Sequence, residues 1–194
     1  MRRSVCNRLL ALTIAILLLS THAQAQEEIT AKEVDAYLRT VEQDATEIVR
    51  SRQLERIATW IQDNIADGAV FQTSINISAS NKRKGFADLS LEKQDLLRIG
   101  GVFAGSFQKQ EIEDYSLEAT ALEVVSQGPG VATAKIRWVE RMRSKVAGPT
   151  DGSEKASKSA EITLESATDC NHLLRRMEGR LIIGLSTCTA DLKF

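Results

Sequence analysis

The spacing of apolar positions divides the chain into helical and extended stretches. Val34, Tyr37, Leu38, Val41, Ala45 and Ile48 recur at steps of three and four, which predicts an amphipathic helix over residues 30–50. Thr30 with Glu33 fits a capping box at its start. Ser51 is placed to cap a second helix whose stripe is Leu54, Ile57, Ala58, Ile61 and Ile65, with Asp67-Gly68 at its end. Residues 69–77 change to period two, with Ala69, Phe71, Thr73, Ile75 and Ile77 on one side, and predict a strand. Residues 78–89 read as a polar loop carrying Lys82-Arg83-Lys84. Ser90 then caps a third helix with Leu91, Leu96, Leu97, Ile99 and Phe103, weakened at Gly100-Gly101 and stopped near Gly105. Alternation dominates the rest. Strands are expected over 111–125, 131–143, 160–176 and 181–192, with turns at Gly128-Pro129-Gly130 and Glu178-Gly179 and a flexible loop over 144–159.

The beginning of the chain follows another rule. Arg2, Arg3 and Arg8 precede an apolar run from Leu9 to Leu19, and Ala23-Gln24-Ala25 places small residues where a signal peptidase reads. The run is 11 residues, against the roughly 20 that a spanning helix needs. Residues 1–25 are therefore expected to be a cleavable signal peptide, and 26–194 a single domain outside the reducing cytoplasm, periplasmic or extracellular, with no membrane span. Setting the three leader arginines aside, the 25 Lys+Arg of the chain fall to 22 against 26 Asp+Glu, an acidic balance that argues against a nucleic-acid partner. Of the three cysteines, Cys170 and Cys188 remain after cleavage, a natural pair in an oxidising compartment; two free buried thiols are the alternative.

The order helix, helix, strand, helix, four strands resembles the NTF2-like superfamily, whose SnoaL-like and cystatin-like members pack three helices into a curved sheet. The residues that carry the resemblance are Ile65-Ala66-Asp67-Gly68-Ala69-Val70-Phe71, similar to the family's entry to its first strand, and the closing hairpin Leu173 to Ile183 with its turn glycine. The chain departs from it at Leu181 and Ile182, where many members carry an aromatic residue. The resemblance implies an α+β fold: three N-terminal helices packed in a curved antiparallel sheet, forming a cone. It also implies a possible homodimer through the sheet.

Strand parity then nominates the inner face. On the strand over 131–143 the even positions are Ala132, Ala134, Ile136, Trp138, Glu140 and Met142, the face expected under the helices. Glu140 among apolar neighbours is a candidate functional acid; pairing with a base such as Arg176 is the structural alternative. A turn centred on Gly179 would set Cys170 opposite Cys188 and His172 opposite Ser186. His172 is the one histidine left after cleavage, so the usual zinc ligand set is lacking, and neither metal nor cofactor is expected. A small apolar ligand could lie against Trp60, Phe71, Phe103, Tyr115, Trp138 and Glu140. Three function classes remain: a binding module for such a ligand or for a protein partner, a scaffold subunit of an envelope complex, and an enzyme. An enzyme similar to the ketosteroid isomerases and polyketide cyclases would use Glu140 or Asp67 as base and Tyr115 as donor. The family's own tyrosine lies on an early helix, where this chain has Tyr37.

Overall fold

The computed structural model describes residues 27–79, 84–107, 110–146 and 160–193. The expected signal peptide, Lys82-Arg83 and most of the 144–159 loop lie outside the described residues. Helix α1 (Ala31–Ser51) begins as its sequence requires. The Glu33 amide donates to Thr30 Oγ1 while the Thr30 amide donates to Glu33 Oε2, so the capping box is closed in both directions. Glu33 also pairs with Arg176 of the closing hairpin, whose guanidinium donates to the Glu27 carbonyl as well, and this ties the start of α1 to the sheet. Val34, Leu38, Val41 and Ile48 form its buried stripe.

Two boundaries differ from the sequence expectation. Ser51 closes α1 instead of opening α2 (Arg56–Asn64), which starts at Glu55 without a side-chain cap. Asp67-Gly68 does not end a helix either. Strand β1 (Ile65–Ser78) starts at once, and Gly68, at φ +73°, lies in an irregularity between Ile65 and Val70. Strand β2 (Lys84–Glu92) occupies the stretch read as loop and helix cap, pairing antiparallel with β1. Its residues are nearly all exposed, although Ala87, Leu89 and Leu91 alternate with Asp88, Ser90 and Glu92, and β1 supplies hydrogen-bond partners along one edge. Helix α3 (Lys93–Phe107) follows, and the Asp95 carboxylate accepts from the Glu92 amide at its start. At Gly100 an added Cβ would come within 3.1 Å of Ile57, so the glycine lets α3 approach α2.

Strands β3 (Gln110–Gly128), β4 (Val131–Val146), β5 (Ala160–Met177) and β6 (Arg180–Lys193) complete one six-stranded sheet in the order β2-β1-β6-β5-β4-β3. The sheet is mixed, not antiparallel, because β1 and β6 run parallel. Nor are all three helices N-terminal to it, since α3 lies between β2 and β3. The main core joins α1 to the even face of β4: Val34 and Leu38 pack with Ala132, Ala134, Ile136, Leu174, Leu181 and Ile183. A smaller cluster of Ile61, Ile65 and Ala69 lies under α2 and α3, and Phe71 packs against both.

The last hairpin pairs as expected, for a reason that parity along the strands does not reveal. Glu178 and Gly179, at φ +52° and +77°, form a two-residue turn that pairs Met177 with Arg180. Continued unbroken, that register would set Cys170 against Thr187. A bulge at Gly184 adds one residue to β6, so that Leu174 pairs with Ile183 but Leu173 with Leu185. Cys170 thereby meets Cys188 and the two form a disulfide, their Cα atoms 4.1 Å apart. Such turns favour Asn-Gly because both residues need positive φ. Glu178→Asn should therefore raise stability by about 0.5 kcal/mol, which a urea unfolding midpoint would show; an unchanged or lower midpoint would contradict this account of the turn.

Candidate functional site

On the sheet's helix-facing side the even positions of β4 line up in one row, as parity requires: Ala132, Ala134 and Ile136 are fully covered, Trp138 and Glu140 are half-buried, and Met142 and Ser144 are buried again. Across on β5, Ser166 faces Glu140, Cys170 faces Ile136 and His172 faces Ala134. Leu117 of β3 faces Glu140 from the other side.

Glu140 and Tyr115, both singled out in the sequence, come together here. Burial, with the Glu140 carboxylate nearby, pushes the Tyr115 phenol well above its ordinary range. Ser166 Oγ donates to Glu140 Oε2 at 3.5 Å. Arg176, the alternative partner for Glu140, is instead engaged by Glu33. Leu117 also helps line an open groove of about 700 Å³ whose remaining walls are Glu42, Gln43, Thr46, Glu47, Arg50 and Ser51 of α1. Arg50 reaches across it to the Tyr115 carbonyl at 3.4 Å. The groove thus runs along the end of α1 beside the Glu140 group.

Trp138, two residues from Glu140 on the same face, turns the other way. Its Nε1–H donates to His172 Nε2 at 3.3 Å, with the two rings edge-on. His172 is buried on β5, and burial pushes its imidazole down to about 4. Its Nδ1 has no hydrogen-bond partner among the described residues, and the same holds for the hydroxyl of Tyr37 on α1. Tyr37 packs against the cluster that contains Ala134, the cross-strand neighbour of His172. Ser186 is opposite His172, as the hairpin pairing required, but its Oγ contacts Cys188 Sγ at 3.1 Å. With Nε2 occupied by an indole and no carboxylate on Nδ1, a Ser-His-Asp relay is not assembled.

The other nominated residues lie apart. The Asp67 side chain is 99% exposed and pairs with Lys93 at 2.9 Å, so it is a surface group, not a pocket base. Trp60 and Phe71 pack at the α2 and α3 cluster. The Phe103 side chain lies outside the described residues. Sequence reading gave His172 no role beyond the hairpin and did not place Tyr37 and Ser166 in the site. The available signal was shared parity: Trp138 and His172 both fall on the inward face of adjacent strands.

The opposite face of the sheet is charged. Arg137 of β4 pairs with Asp169 of β5 at 2.8 Å, Arg141 with Glu118 of β3 at 3.4 Å, and Arg143 and Lys145 with Glu113. Among the described residues no helix is long and apolar enough to cross a membrane, and no three His, Cys, Asp or Glu side chains are grouped to hold a metal ion.

Solved structures similar to this chain include NTF2-like proteins and one with a cystatin-like fold. The β subunit of the benzoate 1,2-dioxygenase from Burkholderia mallei is 11% identical, with 84% of this chain and 92% of that chain covered at a TM-score of 0.48. A protein of unknown function with a cystatin-like fold from Nostoc punctiforme is 12% identical over 85% of this chain and 96% of its own, at 0.42. A ketosteroid isomerase-like protein from Erwinia carotovora is 13% identical over 78% and 94%, at 0.35. No family model and no curated protein matches the chain.

Proposed function

We propose that this protein is an exported binding module that holds a small, largely apolar molecule against the inner face of the sheet beneath α1. The observation that carries this reading is the pair of deeply buried polar groups, His172 Nδ1 and Tyr37 Oη, that find no partner among the described residues. A buried polar atom left unsatisfied costs about 1–3 kcal/mol, and native proteins retain few of them without a reason. A bound molecule that meets these atoms offsets that cost. Export is supported by the Cys170–Cys188 pair, which suits an oxidising compartment. A homodimer through the sheet would have to bury the ion pairs of the outer face, and the ligand reading does not depend on it.

A second reading, an enzyme that moves a proton with Glu140, is favoured by one observation. Tyr115 and Ser166 converge on that carboxylate next to an open groove. In that case Glu140 would accept the proton and Tyr115 would hold the carboxylate in place.

Native mass spectrometry of the protein recovered from an oxidising compartment, followed by its denatured mass, tests the first reading. The expected result is a folded species heavier than the bare chain that loses a small molecule on denaturation. A folded species at the mass of the bare chain or bare dimer would count against it.

A further inference from the structure

Strand β3 is an edge of the sheet, and among the described residues no strand pairs with its far side. An edge of this length recruits strands from other molecules unless something blocks it. Toward both ends its register with β4 shifts, between Ile112 and Asp114, between Ala121 and Glu123 and again between Ser126 and Gly128. Such bulges blunt an edge. They leave one regular run, from Asp114 to Ala121.

Over that run α1 supplies what a seventh strand would. Glu42 accepts from the Ala119 amide, and Arg50 donates to the Tyr115 carbonyl at 3.4 Å. Both backbone groups therefore point away from β4. In an antiparallel ladder Leu117, midway between them, must turn its N–H and C=O the same way. Leu117 and Thr46 both line the open groove at this point. The two periodicities explain the fit. Outward positions recur at every second strand residue, about 6.8 Å apart. A helical stripe at steps of four advances about 6 Å each time. Glu42, Thr46 and Arg50 thus keep pace with Ala119, Leu117 and Tyr115, running in the opposite direction. An ionised carboxylate can only accept, a guanidinium can only donate, and a hydroxyl does both. The next residue of the stripe, Leu38, belongs to the core, so the polar stripe stops where the regular run stops.

The two latched groups are also complementary to each other. Set a second copy's β3 antiparallel to this one, with Leu117 against the partner's Leu117, and Ala119 lies opposite the partner's Tyr115. The amide that Glu42 occupies then donates to the carbonyl that Arg50 occupies, once on each side of a two-fold axis. We infer that the middle of β3 is a self-pairing edge held shut by α1, with Glu42 and Arg50 as its latch and a second copy of this chain as the partner it excludes. The inference is independent of the ligand reading above.

Amide exchange in the parent protein reads the latch directly. The Ala119 amide should exchange at least about tenfold more slowly than that of Leu117, because Glu42 holds the first while the groove opens beside the second. Equal rates overturn the latch. Glu42→Ala combined with Arg50→Ala should open the edge. Sedimentation velocity should then show a species of twice the parent's mass that grows with concentration, and the Leu117 amide should slow as it grows. Adding Leu117→Pro should reverse the association, since it removes an N–H that faces away from β4 and leaves the ladder intact. An unchanged mass in the double variant, or association that survives Leu117→Pro, overturns the inference. Glu42→Gln keeps an accepting oxygen and should behave as the parent does; association in that variant overturns the latch as well. Should the double variant lose its fold by circular dichroism, Glu42→Ala alone decides. Its Ala119 amide should exchange as fast as that of Leu117, and a rate that stays slow overturns the role of Glu42.

Discussion

Inserting one residue after Gly184 should leave Cys170 and Cys188 as free thiols. The bulge at this glycine shifts the β5–β6 register by one residue. With a second added residue Cys188 falls opposite Asp169, and its side chain turns to the outer face, because a one-residue slip moves every following side chain to the other side of the sheet. Ser186, fully buried, and Ala190 would move outward with it. The turn cannot absorb the change, since Leu181 and Ile183 on its near side are buried as well and a slip there would expose them instead. Loss of the disulfide, which joins residues 18 apart, costs on the order of 3 kcal/mol in the chain-entropy model, before any loss of core packing. That is a large share of the roughly 5–15 kcal/mol that stabilises a typical domain. Thiol titration of the denatured, unreduced protein should find two more reactive thiols than in the parent, and the melting transition should fall or disappear. Gly184→Ala is the matched control. Its Cβ would meet the Arg175 side chain at 3.4 Å, a flexible neighbour that can yield, so the disulfide should form normally. An unchanged thiol count in the insertion variant would show that the residue count at the bulge does not set the pairing.

Acid should weaken the fold between about pH 6.5 and 4, and His172 should be the cause. Its imidazole falls from 6.5 to about 4 through burial. Across that window the unfolded chain takes up a proton that the folded chain refuses, so stability is complete above the unfolded value and declines as pH drops toward the folded one. The full decline is about 3 kcal/mol, from 1.36 kcal/mol for each pH unit. The carboxyls of Glu33, Glu113 and Asp169 are held below their ordinary range by hydrogen bonds from Thr30, Lys145 and Arg137 respectively. Their contributions persist through most of this window and fade at lower pH. Urea midpoints at pH 7, 5.5 and 4.5 should therefore fall steadily in the parent. In His172→Leu they should start lower, because the Trp138 N–H loses its acceptor, and should lose most of this slope. A variant that keeps the parent's slope would assign the acid sensitivity to another group.

Much of the frame was legible in the chain. The Thr30 and Glu33 capping box could be read because both partners lie within one helical turn. The inward row of β4 could be read because a strand alternates its faces residue by residue, so Ile136, Trp138 and Glu140 had to share a side. The Cys170–Cys188 pairing was legible in outcome only. The expected centre at Gly179 and the real combination of a two-residue turn with a bulge lead to the same register. Strand β2 was not legible. Its alternation is only three apolar residues long, Ala87, Leu89 and Leu91, next to a helical stripe that also uses Leu91, and the backbone of β1 beside it decides for the strand. The placement of Asp67 failed because Asp67-Gly68 read as a helix stop, whereas β1 already begins at Ile65 and the Asp67 side chain reaches out to Lys93.

By itself the sequence determined the local choices: helix or strand, where α1 starts, which face of each long strand is apolar, and which cysteines are available to pair. The tertiary structure alone decided the parallel pairing of β1 with β6, the extra residue at Gly184, the meeting of Tyr115 with Glu140, and the bond from Trp138 to His172. Local choices depend on residues a few positions apart, whose spacing the chain displays directly. The others join residues from different strands, whose contact depends on register, and register is fixed only when both strands have buried their apolar faces together.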